Sequence, residues 1–255
     1  MSKNFELMQE AHREMERMSS SAHEPDPVLF VAVEAQRERK PGALDLDRVA
    51  KEECQKLVQR IFLTQPPSSS RAVVFAGIDP GDGCSRICAQ AAQALAANTS
   101  SSVCLVEANF RTPSLPGFFG VPNHRGLADS LQQEGGIRNF IKQLKPANLW
   151  LLSSGDLNPA SPALLNSERL KDRLQELRSQ FDYVLLDAPA LNAYADSVAL
   201  GRLADGVVVV LQADSTRRES ALRGLDSLRE AQVEVLGAVL NRRTFPIPGF
   251  VYRRL

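Results

Sequence analysis

From Arg71 onward the chain alternates short, continuously apolar runs with longer segments of helical period. The runs are "RAVVFAG" (71–77), "SVCLVEA" (102–108), "NLWLLSSG" (148–155), "FDYVLLDAP" (181–189), "DGVVVVLQA" (205–213) and "VEVLGAVLN" (233–241). A half-exposed strand alternates apolar and polar residues, whereas a strand covered on both faces does not. Between the runs lie "SRICAQAAQALAA", "SPALLNSERLKDRLQELRSQ", "DSVALGRLA" and "RRESALRGLDSLREAQ", all read as helices. Ser161 is the expected N-cap of the second, with Pro162 at its first position. Strand–helix alternation of this kind predicts an α/β fold: a doubly wound, mostly parallel sheet with helices on both faces. Ligands in such sheets bind at the carboxyl ends of the strands.

The first 70 residues follow another pattern. Phe5, Met8, His12, Met15 and Met18 recur at helical spacing, "SSSAHEPDP" (19–27) reads as a linker, and "VLFVAVE" (28–34) as a short strand. Residues 44–63 have a helical period through Leu46, Val49, Ala50, Leu57, Val58 and Ile61, and "TQPPSSS" (64–70) breaks it. The expected division is an N-terminal helix and linker region (1–43), a helix and linker (44–70), the α/β core (71–241) and a tail (242–255).

Thirty basic residues balance thirty acidic ones, which removes any net electrostatic case for nucleic acid as a partner. The longest clean apolar run, "VVVVL", is too short to span a bilayer, and the N-terminus is too charged for a signal peptide, so the protein is expected in the cytoplasm. The four cysteines form no C-x-x-C pair and have no histidine at metal-ligand spacing; buried free thiols are expected. Cys84, at a helix start, is expected to have a lowered pKa.

Three strand ends carry chemistry. After the first comes "DPGDGCSR" (79–86). A phosphate loop reads G-x-x-x-x-G-K-[ST]; Gly83 and Ser85 keep the last glycine and the hydroxyl, and Gly81 adds backbone freedom. Such a loop directs backbone N–H groups at an anion, places Ser85 on a magnesium ion and needs a lysine ammonium on the outer phosphates. Cys84 stands at the lysine position. After the second strand, Glu107 and Asn109 point to the same side and Arg111 follows. The third run ends in Asp187, a carboxylate placed to hold magnesium.

With these three motifs in this order, the chain resembles the cytosolic domain of the bacterial tyrosine kinases over about residues 44–241. These are P-loop proteins of capsule and exopolysaccharide systems, related to the MinD and ParA ATPases. "PGDGCSR" corresponds to a family loop like "PGEGKST", and "CLVEANFRTPSLP" to "LLIDADLRRPSLH". "FGVPNHRGLADSL" (119–131) matches "FGLPNxxGLSDVL", and "FDYVLLDAPA" matches "YDYVIIDTPP". The resemblance implies a P-loop NTPase fold of the MinD/ParA type. It implies ATP or ADP with magnesium, bound by Gly81, Asp82, Gly83, Ser85 and Arg86, with Asn241 beside the adenine and Ser85 and Asp187 on the metal. Asp187 and Glu107 would be the catalytic carboxylates and Tyr252 the phosphoacceptor. The implied partner is the cytosolic part of a membrane polysaccharide co-polymerase, which would recruit the protein to the inner face of the membrane; a homo-oligomer is also allowed.

The departures set the expected activity. No lysine occurs between Lys56 and Lys142, and Arg86 replaces the second loop hydroxyl. Glu107 and Asn109 stand for two family aspartates, and the ring-assembly helix motif E-x-x-R-x-x-R survives only as Glu53, Lys56 and a displaced Arg60. The C-terminal tyrosine cluster is reduced to Tyr252. Phosphoryl transfer is mostly positioning and charge neutralisation, and losing one charge-stabilising donor costs roughly 3–4 kcal/mol of barrier. The expectation is a catalytically impaired kinase-like protein, binding nucleotide weakly and acting as a regulator or scaffold of polysaccharide assembly and export. An active autokinase using Arg86 or a neighbouring subunit's cation, and a partition-type ATPase, are the alternatives.

Overall fold

The computed structural model of the chain describes residues 30–33, 46–64 and 71–242. The N-terminal helix and the linker at 19–27 lie outside the described residues, as does Tyr252.

Among the described residues eight strands form one sheet: β1 (Phe30–Val33), β2 (Arg71–Gly77), β3 (Val103–Glu107), β4 (Lys142–Gln143), β5 (Leu149–Leu152), β6 (Tyr183–Ala188), β7 (Val207–Gln212) and β8 (Val235–Asn241). Their spatial order is β1-β8-β7-β2-β6-β3-β5-β4. All pairings are parallel except β4 with β5. From β2 the chain moves outward to β3 and β5, then returns to β6 between β2 and β3. It next crosses β2 to build β7 and β8 on the other side. That reversal leaves a crevice at the carboxyl ends of β2, β6 and β7.

The strands are apolar throughout because each feeds two cores. Val73, Phe75, Leu105, Leu185, Val208 and Val210 face one side. There they meet helix α1 (Leu46–Val58), through Cys54, Leu57 and Val58, and helix α2 (Cys84–Asn98), through Ile87, Cys88, Ala91 and Leu95. A widened turn, Gln59–Leu63, continues α1 and adds Ile61 and Phe62. Val74, Ala76, Val106, Leu186 and Val209 face the opposite layer. That layer holds α4 (Leu127–Gln132), α5 (Glu168–Gln180), α6 (Asp196–Leu203) and α7 (Arg218–Glu230). Short helix α3 (Leu115–Phe119) closes the turn after β3. β1 extends the sheet edge beside β8, in register Phe30↔Ala238 to Val33↔Asn241.

Two local readings change. The helix expected from Ser161 is two pieces: a tight turn, Ser161–Asn166, and α5, whose N-cap is Ser167. Ser167 bonds back to the Leu164 carbonyl through its hydroxyl (2.6 Å) and takes an extended backbone, which stops one helix and starts the next. The antiparallel strand β4 has only two residues, too few to leave a periodic signal.

Candidate nucleotide-binding site

The loop between β2 and α2 is braced from below. Gly81 and Gly83 have φ of +95° and +82°, a region that favours glycine. At Gly83 there is a second reason: a Cβ would stand 2.3 Å from Asn241 Nδ2. That amide donates to the Asp82 carbonyl at 2.7 Å, while its oxygen accepts the Arg242 N–H at 2.9 Å. Asn241, at the end of β8, is thus a clamp on the loop backbone.

Asp82 is buried, and its side chain turns into the fold. It accepts from the Asp79 N–H (2.8 Å) and the Thr216 hydroxyl (3.1 Å). Burial raises its pKa against those hydrogen bonds. Asp79 accepts from Asn192 Nδ2 (3.0 Å) and the Ser220 hydroxyl (3.2 Å). Loop, β6–α6 turn and α7 are locked together through side chains that sequence reasoning did not select: Asn192, Thr216 and Ser220.

Cys84 and Ser85 open the first turn of α2, both half-buried, and Arg86 is exposed beside them. Asp187 and Glu107 are register partners on adjacent parallel strands, so their side chains leave the same face, the one that α2 covers. Both are fully buried. Glu107 Oε1 accepts from the backbone N–H groups of Ser114 and of Leu115 (2.8 Å), holding the start of α3. Its Oε2 has no partner, and neither Asp187 oxygen has one. Burial pushes the Asp187 carboxyl up to about 7; nearby Ser85 and Cys84 oppose the shift and Glu107 adds to it. Burial also raises Glu107, against the Leu115, Ser114 and Ser154 groups around its carboxylate.

Cys84 departs from expectation. Its thiol is raised well above the ordinary value, by burial first and then by the negative charge of Asp187. These outweigh the helix N-terminus because the thiol faces a carboxylate with no cation between them. Cys88, one turn on, is raised for the same reasons. Asn109 is engaged locally, accepting from the Thr112 N–H and donating to its hydroxyl, both at 3.2 Å. Arg111 is drawn out of the crevice: Nη2 lies 3.1 Å from Asp196 Oδ2, and the guanidinium stacks over Tyr194 at 4.5 Å.

The stretch 119–131 acquires a physical role. Asn123 bonds Ser154 Oγ (2.9 Å), the Gly155 carbonyl (3.2 Å) and the Gly155 N–H (2.9 Å). Asp129 Oδ2 accepts from the N–H groups of Gly126 (2.8 Å) and Asp156 (3.2 Å). The stretch is knotted to the carboxyl end of β5, beside the Glu107 carboxylate.

The residues present fit a magnesium–phosphate group in part. The glycine cradle, Ser85 and the unpartnered Asp187 oxygens suit it; the inner cation is missing. Among the described residues no three His, Cys, Asp or Glu side chains gather closely enough to enclose a metal alone.

No family model matches the chain. Tyrosine-protein kinase YwqD of Bacillus subtilis (strain 168) is 29% identical over 171 residues, covering 67% of this chain and 72% of YwqD. The succinoglycan biosynthesis transport protein ExoP of Rhizobium meliloti (strain 1021) is 30% identical over 178 residues, which is 69% of this chain but only 22% of ExoP. Among solved structures, the chimerical protein CapA2B2 superposes with a TM-score of 0.75 at 20% identity, covering 92% of this chain and all of that one. The kinase domain of the Escherichia coli tyrosine kinase ETK gives 0.74 at 17% identity, over 86% and 92%. MinD of Pyrococcus horikoshii OT3, complexed with Mg-ADP, gives 0.59 at 18% identity, over 72% and 76%. The fold is the one these kinase domains and MinD share.

Proposed function

Starting from a chain homologous to the bacterial tyrosine-protein kinases of capsule and exopolysaccharide biosynthesis, we propose that it binds magnesium nucleotide weakly and transfers phosphoryl groups slowly or not at all. Its role in this reading is regulator or scaffold of polysaccharide assembly and export. It works in the cytoplasm, docked on the cytosolic part of a membrane polysaccharide co-polymerase. Among the described residues no helix is long and apolar enough to cross a membrane. In this reading the partner supplies the anchorage.

One observation carries the reading: Asp187 is fully buried with both oxygens unpartnered, and the residue facing it at the lysine position is a thiol. In this mechanism the backbone N–H groups of the Gly81–Ser85 loop would hold the phosphates at the N-terminus of α2. Asn241 and Asp82 hold the loop in that shape before anything binds. Ser85 and Asp187 would ligate magnesium, which supplies charge neutralisation on the phosphate oxygens. No inner ammonium offsets charge developing on the transferred group, so binding outlasts turnover.

Calorimetric titration with Mg-ATP and Mg-ADP tests this, with Cys84→Lys alongside. Weak binding by the wild type and tighter binding by the variant are expected. Silence from both would defeat the nucleotide reading. Labelling of Tyr252 at ordinary kinase rates, with the membrane partner present, would defeat the impairment.

A second reading has its own support. Arg86 is exposed one residue after Ser85 and makes no ion pair or hydrogen bond among the described residues. If Arg86 replaces the lysine, the enzyme turns over and Arg86→Ala abolishes turnover.

A further inference from the structure

Among the described residues the interior of the crevice is acidic and holds no cation. Asp79, Asp82, Glu107 and Asp187 surround the loop; Arg111 is held by Asp196, and Arg86 faces solvent. Among the described residues, the buried side-chain oxygens without a partner are Glu107 Oε2 and both of Asp187, on the face of the sheet that α2 covers. A buried carboxylate with no donor is costly to keep, which argues for a ligand of opposite charge. Magnesium with Ser85 satisfies one side of Asp187. The Cys84 sulfur lies within the influence of the same carboxylate, and magnesium, a hard cation, does not take a sulfur ligand.

We propose that Cys84 Sγ and Asp187 Oδ are two ligands of a site for a thiophilic divalent cation such as zinc, which stands where the lysine charge would be. The site rests on the phosphate-binding reading only for its remaining positions, which water fills until phosphate oxygens replace it. The balance is simple: the dication enters, the thiol proton leaves to solvent with any proton held on Asp187, and no oxidant is needed. Two protein ligands with an open side make an exchangeable site, not an enclosed structural one. Glu107, one strand away, adds its charge to the same place. The other thiols do not compete, since Cys54, Cys88 and Cys104 are enclosed in the two cores, whereas Cys84 is only half-buried.

The experiment is titration of the full chain with cadmium chloride in metal-free buffer, following the ultraviolet cadmium–thiolate charge-transfer band, with zinc as competitor. The expected result is one equivalent of cadmium, displaced by zinc. The band is lost in Cys84→Ser, retained in Cys88→Ser, and shifted to about tenfold weaker affinity in Asp187→Asn. Far-ultraviolet circular dichroism confirms that each variant is folded. No band in the wild type, or an unchanged band in Cys84→Ser, overturns the site. Calorimetry of Mg-ADP on the same samples separates the two ideas. Cadmium bound without nucleotide leaves the site standing and fails the nucleotide reading; nucleotide bound with no metal at Cys84 does the reverse.

Discussion

Two buried aspartates stand at carboxyl ends of the same sheet in opposite situations. Asp129, in the knot at the end of β5, accepts from the backbone N–H groups of Gly126 and Asp156. Asp187, at the end of β6, has no hydrogen-bond partner among the described residues. The knot is a finished structure whose carboxylate is one of its fasteners. The crevice is firm around its rim, where Asp79, Asp82 and Asn241 all have partners, and unfinished at its centre. A satisfied carboxylate contributes to the fold, whereas an unsatisfied one subtracts from it and marks a place for a ligand.

The largest effect should come from breaking the knot. Gly155 has φ of +79°, and a Cβ there would stand 2.0 Å from Asp129 Oδ2 and 2.6 Å from the Gly126 nitrogen. Gly155→Ala therefore forces backbone against backbone and displaces a buried carboxylate. A loss of at least about 3 kcal/mol is expected in urea unfolding. A wild-type midpoint would show that the knot is not what holds this end of the sheet.

The same substitution, aspartate to asparagine, should act with opposite sign in the two regions. Asp187 has its folded pKa raised to about 7 against an ordinary 3.8. The folded protein therefore takes up this proton more readily than the unfolded chain. The stability it confers is full below about pH 4 and is lost as pH rises through about 7, a swing of up to about 4 kcal/mol. Glu107 and Asp82, also raised by burial, tilt the profile in the same direction. Asp187→Asn should stabilise the metal-free protein at pH 8, leave it nearly unchanged at pH 4, and flatten the urea profile between. A variant less stable at pH 8 would mean that Asp187 is satisfied in solution. Asp129→Asn, by contrast, can keep its amide oxygen on the two N–H donors, which share Oδ2, but it loses the carboxylate charge that strengthens both bonds. A loss of about 1 kcal/mol is expected.

The strands were readable because each run is buried on both faces, and the apolar repetition records it. Asp187, Ser85 and the glycine turn were readable because the chemistry of phosphate allows few residue types at those spacings. What escaped the sequence depended on long-range partners. Nothing local says that Asn241 bonds the carbonyl of Asp82, or that Thr216 and Ser220 hold Asp82 and Asp79. The stretch 119–131 was visible as a pattern without a cause, since its partners at 153–156 lie on another strand's exit. Cys84 shows the limit most plainly. Position at a helix start predicts a lowered thiol pKa, but burial in the fold and then the charge of Asp187, across the sheet, raise it instead.

The smallest expected effect tests whether the two regions are coupled. Arg111, on the loop after β3, reaches Asp196 at the start of α6 and stacks on Tyr194. It is the nearest thing to a strap between the β3 side, which leads into the knot, and the β6 exit. The arginine side chain is 34% exposed, so the ion pair is partly screened by solvent. Arg111→Ala should cost only about 1 kcal/mol, from a screened pair and a cation–π contact. In a double-mutant cycle with Tyr194→Ala, a coupling of about 0.5 kcal/mol is expected. The Asp187→Asn pH profile should be unchanged in the Arg111→Ala background, because Arg111 is held away from the buried carboxylates. A profile that moved with Arg111→Ala would place this guanidinium within electrostatic reach of Asp187, and the crevice would then hold a cation of its own.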